Sequence, residues 1–332
     1  MRRDCRRGPA VGDSARFEVV GELPRTSRNQ LVAFTGHRPR SCAEGGIGTR
    51  VSLGRGALRS ARMSSELHVD VSDGVAVLTL NRPAQQNALT PAMALALGVA
   101  LRRCDTEDAI GAVVITGTPP AFCAGADLSL KVGEVNGLID PPPFRIRKPV
   151  IAAVNGHAVG IGLEIALQCD LRYVARDAVY GLNQVRRGAL ADGYAHWTLP
   201  RLIGSANAAD LLLTGRTFDG DEARALGVAN SCLPASEVLP TALAVAHDIA
   251  HGSAPLPVAL SKRLLWEAPT MTPETVGRLE TELNDYVAKS ADGGEGVAAL
   301  KDRRSPKWTG SISAEWPAWD AVTGGEARPG LD

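Results

Sequence analysis

The amino-acid sequence predicts an α/β protein with a buried sheet core followed by a helical C-terminal third. From Glu66 onward, short β-rich runs alternate with helical stretches in repeated strand-strand-helix units. Turn signals separate these runs at matching intervals. In the last third, apolar residues recur at steps of three and four. A chain of 332 residues, 45% of them apolar, is long enough for one large domain with a small appendage.

Residues 1–64 stand apart from the rest. They are Arg-rich and acid-poor, contain no lysine, are well supplied with Gly and Ser, and lack sustained apolar periodicity. Such a segment cannot bury enough surface to order itself, so a disordered extension is expected. Two other readings stay open: a mitochondrial transit peptide, although Asp4, Asp13, Glu18 and Glu22 interrupt it, and upstream translation ahead of a start at Met63.

The first strand with a clear signal is Val75–Leu80, alternating and rich in β-formers, which stops at Asn81-Arg82-Pro83. Thr90-Pro91 then opens a helix, with Thr as the cap and Pro in the first turn, and Met93, Leu97 and Leu101 form its apolar face. Buried strands are predicted over Ala112–Thr116 and Pro149–Val154, a helix from about Gly162 to Cys169, and a strand over Leu171–Val174. In the helical third, Thr272-Pro273 starts a helix whose face is Val276, Leu279, Leu283 and Val287. Beyond residue 310 the Gly/Pro/Ser-rich chain reads as a flexible tail, which Trp316 and Trp319 could equally dock or leave exposed.

Charge and cysteine usage exclude several functions. Thirty-six Lys+Arg against thirty-six Asp+Glu leave no global positive field to gather nucleic acid or an anionic membrane. No apolar run approaches the roughly 20 residues that span a bilayer. Cys5, Cys42, Cys104, Cys123, Cys169 and Cys232 are scattered without a C-x-x-C pair, the pattern of reduced thiols in a cytoplasmic protein. Neither that spacing nor any H-E-x-x-H points to a metal, so none is expected.

Two stretches carry chemistry. Phe122-Cys123-Ala124-Gly125-Ala126-Asp127-Leu128 follows a strand, and its small residues let a ligand reach free backbone N–H groups; the same composition also suits a plain tight turn. Asn155-Gly156-His157-Ala158-Val159-Gly160-Ile161-Gly162-Leu163-Glu164 places two glycines around Ile161 at a helix start. Unpaired N–H groups and the positive end of the helix dipole meet there, a setting suited to an oxyanion. Glu164 lies one turn in, beside the apolar Ile165, Ala166 and Leu167, where a carboxylate finds a partner or shifts its pKa.

Together with their neighbours, these stretches resemble a known family. Residues 77–89 (VLTLNRPAQQNAL), 121–128 (AFCAGADL) and 148–170 (KPVIAAVNGHAVGIGLEIALQCD) look like successive signatures of the enoyl-CoA hydratase/isomerase, or crotonase, superfamily. Residues 290–308 (SADGGEGVAALKDRRSPKW) resemble its C-terminal signature, with Ala299 and Leu300 where an aromatic is common. The resemblance implies a crotonase-like ββα spiral core over 65–255, a C-terminal helical region over 256–310 and a tail over 311–332. It implies an acyl-CoA thioester substrate with no separate cofactor, and a homotrimer or homohexamer. It also implies an oxyanion hole made by the Ala126 and Ile161 backbone amides, with Glu164 moving a proton beside the thioester. Ala84 to Gln86 and Ala124, Asp127 and Leu128, with Gly160, would line the coenzyme A channel.

Several positions depart from the family pattern. Ile161 stands where Gly is usual; its amide can serve if the side chain turns aside. A hydratase uses two glutamates, and extending the match through residues 178–188 (AVYGLNQVRRG) puts Gln184 at the second. Gln184 can hold a water but cannot exchange a proton with it. Asp192, in Ala191-Asp192-Gly193, is a candidate replacement acid, although Asp-Gly is also an ordinary turn. Two basic positions used for coenzyme A phosphates read Ala84 and Ser129, with Arg82 or Lys131 as substitutes. His157 reads as packed or ligand-lining, and His196 as an ordinary helix residue. The short link from Leu128 to Lys148, stiffened by Pro141-Pro142-Pro143, predicts a more open acyl pocket or one capped by other elements. The implied activity is hydration or dehydration next to the thioester; the alternatives are moving a β,γ double bond to α,β and binding acyl-CoA without turnover.

Overall fold

The computed structural model of the protein describes residues 65–131 and 133–318. The expectations for residues 1–64, Cys5 and Cys42 among them, and for Trp319 lie outside the described residues.

The chain opens with a hairpin, β1 (Leu67–Ser72) and β2 (Val75–Leu80), paired antiparallel. Helix α1 (Pro91–Thr106) follows, and the Thr90 hydroxyl accepts from the Met93 N–H at 3.1 Å as the expected cap. Met93, Leu97 and Leu101 are buried on one side of it, as their spacing predicts.

The central architecture winds between two sheets. β3 (Ala112–Gly117) leads to β4 (Ala121–Cys123), β5 (Val150–Val154) to β6 (His157–Val159), and β7 (Leu171–Ala175) to β8 (Tyr180–Gly181). The first member of each pair enters a six-stranded sheet of order β1-β2-β3-β5-β7-β10, where β10 is Ser231–Leu233. The second enters a four-stranded sheet of order β4-β6-β8-β9, where β9 is Thr217–Phe218. β2, β3, β5, β7 and β10 run parallel, and β3 and β5 are buried at every residue, as parallel strands covered on both faces must be. Three helices sit on the turns of this spiral: α2 (Ile161–Leu167), α3 (Ala195–Thr214, broken at Gly204) and α4 (Gly220–Leu226). Helix α2 ends two residues short of the expected Cys169, because the chain must leave it to begin β7. Helix α5 (Ala235–Gly252) covers the large sheet with Val238, Ala242 and Ala246.

The C-terminal region comprises α6 (Pro255–Glu267), α7 (Pro273–Val287), α8 (Glu295–Asp302) and α9 (Ile312–Glu315). Leu256, Leu260 and Leu283 form a small core of their own, against which Trp316 packs. Residues 311–318 therefore differ from the loose tail expected there. The Ser311 and Ser313 hydroxyls both donate to the Asp108 carboxylate, and the Arg147 guanidinium lies 5.5 Å from the Trp316 ring centre. The composition resembles a tail, but these long-range polar contacts hold it.

A buried ion pair couples α6 to the spiral. Lys262, only 5% exposed, meets Asp170 at 2.8 Å and donates to the Pro143 and Lys148 carbonyls. The same Asp170 carboxylate accepts from the Trp266 indole at 2.7 Å and the Val150 N–H at 2.7 Å. Removing one partner of such a pair strands the other charge away from water. Lys262→Ala is expected to lower unfolding free energy by about 3 kcal/mol in urea titrations; a loss under about 1 kcal/mol would show that the pair is a surface contact in effect.

Candidate active site

The site lies where β4 and the start of α2 come together. Gly160, the residue before the helix, has φ 55° and ψ −127°, a region closed to side chains, and its N–H donates to the Gly181 carbonyl at 2.8 Å. At Gly162 a Cβ would sit 2.0 Å from the Cys123 carbonyl oxygen, so only glycine lets the helix approach β4 this closely. The Cys123 thiol at this contact is fully buried, which pushes it up to about 11 and keeps it unreactive.

Two backbone amides are left free by this construction. Leu89 and Ala126 form a parallel bridge in which the Leu89 N–H donates to the Gly125 carbonyl and the Asp127 N–H to the Leu89 carbonyl. Alternation then turns the Ala126 N–H away from the ladder. Ile161 is the first residue of α2, where an N–H has no partner within the helix. Among the described residues neither amide has an acceptor, and both residues line one cavity of about 230 Å³. A second, smaller cavity of about 80 Å³ shares Val135, Asn136, Ile161 and Asp192 with it, so the two adjoin at these residues.

Glu164 lies below, fully buried, one turn along α2. Its Oε1 accepts from the Gln184 side-chain N–H at 3.1 Å, and its Oε2 has no hydrogen bond of good geometry among the described residues. Burial, followed by the negative charge of Asp192, pushes the carboxyl up to about 7; the Gly193 and Asp192 amides and Gln184 pull less strongly the other way. A Cβ at Gly193 would fall 2.9 Å from Glu164 Oε2, so the Asp192-Gly193 turn rests directly on the acid. Asp192 itself is exposed at the cavity. Tyr194, next in the chain, is held at φ 64°, and its ring packs edge-on against Phe144 at 5.1 Å. Phe144 also contacts Trp197 and Trp266 at 5.2 Å each, a cluster that steadies the turn.

The structure thus gathers most residues singled out in the sequence. Ala124, Ala126, Asp127, Leu128, Gly160, Ile161, Gln184 and Asp192 line the larger cavity; Glu164 is not part of that lining and reaches it through its hydrogen bond to Gln184. Ala84 and Gln86 are not in that lining: the turn carrying them supports the loop from behind, with the Gln86 carbonyl accepting from the Ala124 N–H. Arg82 is not available as a phosphate ligand either. It is paired with Glu66 at 3.2 Å and with Asp127 at 2.8 Å. The Asp127 carboxylate is correspondingly occupied; the Ser129 amide and hydroxyl and the Arg82 guanidinium hold it down at about 2. His157 is structural, accepting from the Val179 N–H through Nδ1 at 2.9 Å, and His196 is exposed on α3. The 128–148 link, expected to leave the pocket more open or capped by other elements, itself contributes Leu128, Leu130, Gly133, Val135 and Asn136 to the cavity wall. Lys131 and Arg187 at this cavity carry the positive charge there; Arg187 had no motif to mark it.

A neutral-pKa carboxyl under a cavity with two free amides is the equipment of an enzyme that moves a proton beside a carbonyl while the carbonyl oxygen gains charge. Comparison with known proteins narrows that class. The Enoyl-CoA hydratase/isomerase family profile matches residues 70–311. The enoyl-CoA hydratase AFT3-1 of Alternaria alternata is 34% identical over 248 residues, 71% of this chain and 83% of that one. The solved structure of a "probable enoyl-CoA hydratase/isomerase" from Mycobacterium abscessus superposes with TM-score 0.71 at 46% identity, covering 74% of this chain and 99% of its own. Enoyl-CoA hydratase from Mycobacterium tuberculosis H37Rv does so with TM-score 0.69 at 35% identity, covering 74% and 99%. The chain belongs to the enoyl-CoA hydratase/isomerase family, and the two-sheet spiral is the fold it shares with these relatives.

The buried acid gives a stability test. Because folding raises the Glu164 pKa from an ordinary 4.5 to about 7, its favourable contribution is complete below about pH 4.5 and is lost as pH rises through 7. Glu164→Gln keeps the shape without the charge. The variant should gain stability over the parent progressively between pH 5 and 8, by on the order of 3 kcal/mol at the upper end. Parallel difference curves in chemical denaturation across that range would place the carboxyl in an unperturbed setting.

Proposed function

We propose that the protein binds an acyl-CoA thioester and carries out enoyl-CoA hydratase chemistry, adding or removing water across the double bond next to the thioester. The observation that carries this reading is Glu164, buried, near neutrality and hydrogen-bonded to Gln184, which lines the same cavity as Ala126 and Ile161. In the hydration direction, ionised Glu164 takes a proton from water as the water oxygen bonds to the β-carbon. The double-bond electrons move toward the thioester, and charge collects on its oxygen, where the Ala126 and Ile161 N–H groups receive it. The α-carbon then takes that proton from the Glu164 carboxyl, which returns the group to its starting carboxylate. Glu164 Oε2 and Gln184 Oε1 are both buried acceptors without partners among the described residues, suited to receive the two hydrogens of the attacking water. Asp192, at the cavity edge, is the second acid–base group, in place of the proton exchange that Gln184 cannot provide.

The remaining roles follow the same placement. The channel past Ala124, Asp127, Leu128 and Gly160 takes the pantetheine, Ala84 and Gln86 lie in the turn that supports its wall through the Gln86 carbonyl, and Lys131 and Arg187 meet the phosphates. The smaller cavity, behind Ile161, suits a short acyl tail. The reaction calls for no cofactor beyond the coenzyme A of the substrate. The division of the folded body near residue 255 is supported by the separate core of Leu256, Leu260 and Leu283. Among the described residues no helix is long and apolar enough to cross a membrane. Cys104, Cys123 and Cys169 are free and buried, which supports a reducing, cytoplasmic setting; the homotrimer or homohexamer is proposed on the family resemblance alone.

A second reading, migration of a β,γ double bond to α,β, is favoured by the Gln184–Glu164 hydrogen bond. One carboxyl can shuttle a proton between two carbons with no second acid, and Gln184 would hold it for both transfers. Mass spectrometry in deuterated buffer with crotonyl-CoA and a β,γ-enoyl-CoA separates the two. Hydration predicts addition of water to crotonyl-CoA, a fall of at least about 100-fold in Glu164→Gln and a gain in Gln184→Glu. Migration without hydration selects the second reading. Turnover of both substrates left unchanged by Glu164→Gln removes Glu164 from the chemistry.

A further inference from the structure

We infer that the protein has a zinc-class metal site on the surface away from the cavity, formed by Asp73, His247 and His251. Asp73 is the first turn residue of the β1–β2 hairpin, and the two histidines lie four residues apart on α5, so they share one helix face. One carboxylate oxygen of Asp73 is 3.1 Å from His251 Nε2 and the other is 3.6 Å from His247 Nδ1. All three candidate ligand atoms lie within 4.8 Å of one another. Zinc bonds of about 2.0–2.2 Å in a tetrahedron separate neighbouring ligand atoms by roughly 3.3 Å. The two oxygen–nitrogen gaps already bracket that value. His251 Nε2 also lies 3.0 Å from the Asp73 backbone carbonyl, a contact in which it donates and which a bound ion would replace.

The site is held in place independently of any ion. Asp73 sits at φ 46° and is followed by Gly74, whose carbonyl accepts from the Gly111 N–H at 2.8 Å. A Cβ at Gly74 would touch Ala250 at 3.4 Å and His251 at 3.5 Å, so the turn rests directly on α5. The imidazole rings are within 4° of parallel, with centres 6.2 Å apart. Most telling is His247 Nδ1, a buried atom with no hydrogen-bond partner among the described residues although it faces the carboxylate. Leaving such an atom unpaired is costly, and a cation between it and Asp73 would resolve both. Two imidazoles and one carboxylate favour zinc and its neighbours; magnesium and calcium, which take oxygen ligands, are poorly served by a single carboxylate. Solvent reaches the site, since the His251 side chain is 53% and the Asp73 side chain 72% exposed. A bound ion would fasten the hairpin, the outer edge of the large sheet, to the helix covering that sheet.

Calorimetric titration of zinc into the chelator-treated full-length protein tests the site, with magnesium as the control. One zinc per chain is expected, no comparable magnesium binding, and a rise in melting temperature with zinc. His247→Ala spares the Asp73–His251 contact and should weaken zinc binding about tenfold or more while leaving the metal-free melting temperature unchanged. His251→Ala, at the more exposed position, should weaken it equally. X-ray absorption of the zinc-loaded parent protein gives an answer that needs no variant. Nitrogen and oxygen neighbours near 2.0–2.1 Å fit the site, whereas a sulfur shell near 2.3 Å would place the ion on cysteines. Absence of zinc binding by the parent, or binding that both variants retain in full, overturns the proposal.

Discussion

The contact on which the site depends is the approach of the α2 N-terminus to β4 at Gly162 and the Cys123 carbonyl. It puts the end of one sheet's strand and the start of a helix side by side, so one unpaired N–H is contributed by each. Neither the strand nor the helix alone would place two donors at one cavity. Glu164 is carried to its depth by the same contact, because it sits one turn along a helix whose start is pinned. A side chain at position 162 would push the helix outward and move the Ile161 amide, the Glu164 carboxyl and the Gly193 turn that rests on it. Positioning of this kind is worth more to a proton-transfer site than any single hydrogen bond, since misplacement by about 1 Å can cost about 100-fold in rate.

The electrostatic design separates two carboxyls by their surroundings. Glu164 is buried and near neutrality, and Asp192 is exposed to water at the cavity. That difference is what divides acid and base roles between like groups elsewhere in enzyme chemistry. Gln184 has a part in it. A carboxylate at its position would set a second negative charge about 3 Å from Glu164, in addition to Asp192, and drive the Glu164 pKa higher still. The amide keeps the contact without adding charge. Its presence therefore leaves Asp192, on the water-exposed turn, as the other carboxyl acting on Glu164.

Local signals in the sequence were enough for β2, β3, β5 and β7, the two Thr-Pro helix starts and the small-residue loops, because each depends on neighbours within a few positions; β1 and the short strands of two or three residues gave too little pattern to read. Gly160, Gly162 and Glu164 were legible for the same reason, and so were Ala126 and Ile161 as amide donors. What escaped was whatever depends on partners far away in the chain. Arg82 looked free until the fold brought Glu66 and Asp127 to it, and residues 311–318 looked loose until Asp108 and the Leu256 core met them. The wall of Phe144, Tyr194, Trp197 and Trp266 gathers four scattered aromatics. Asp73 and His251 are 178 residues apart, a separation at which no motif reports a contact and at which no metal was expected.

The fate of the cations explains why phosphate ligands cannot be transferred by motif alone. Arg82 ties the loop after β2 to the small-residue loop, Lys148 caps the Glu107 and Ile110 carbonyls, Arg172 donates to the Val228 and Cys169 carbonyls, and Lys262 joins α6 to the spiral. Each is buried or nearly so and engaged in holding one element to another. A cation in such a position cannot swing out to an anionic ligand without leaving buried acceptors unpaired, which costs about 1–3 kcal/mol for each group abandoned. Among the described residues the Lys131 and Arg187 side chains have no hydrogen bond or ion pair, and both line the cavity itself. With positive and negative charges balanced over the whole chain, the positive potential at this cavity comes from those two side chains and the start of α2 rather than from any long-range field.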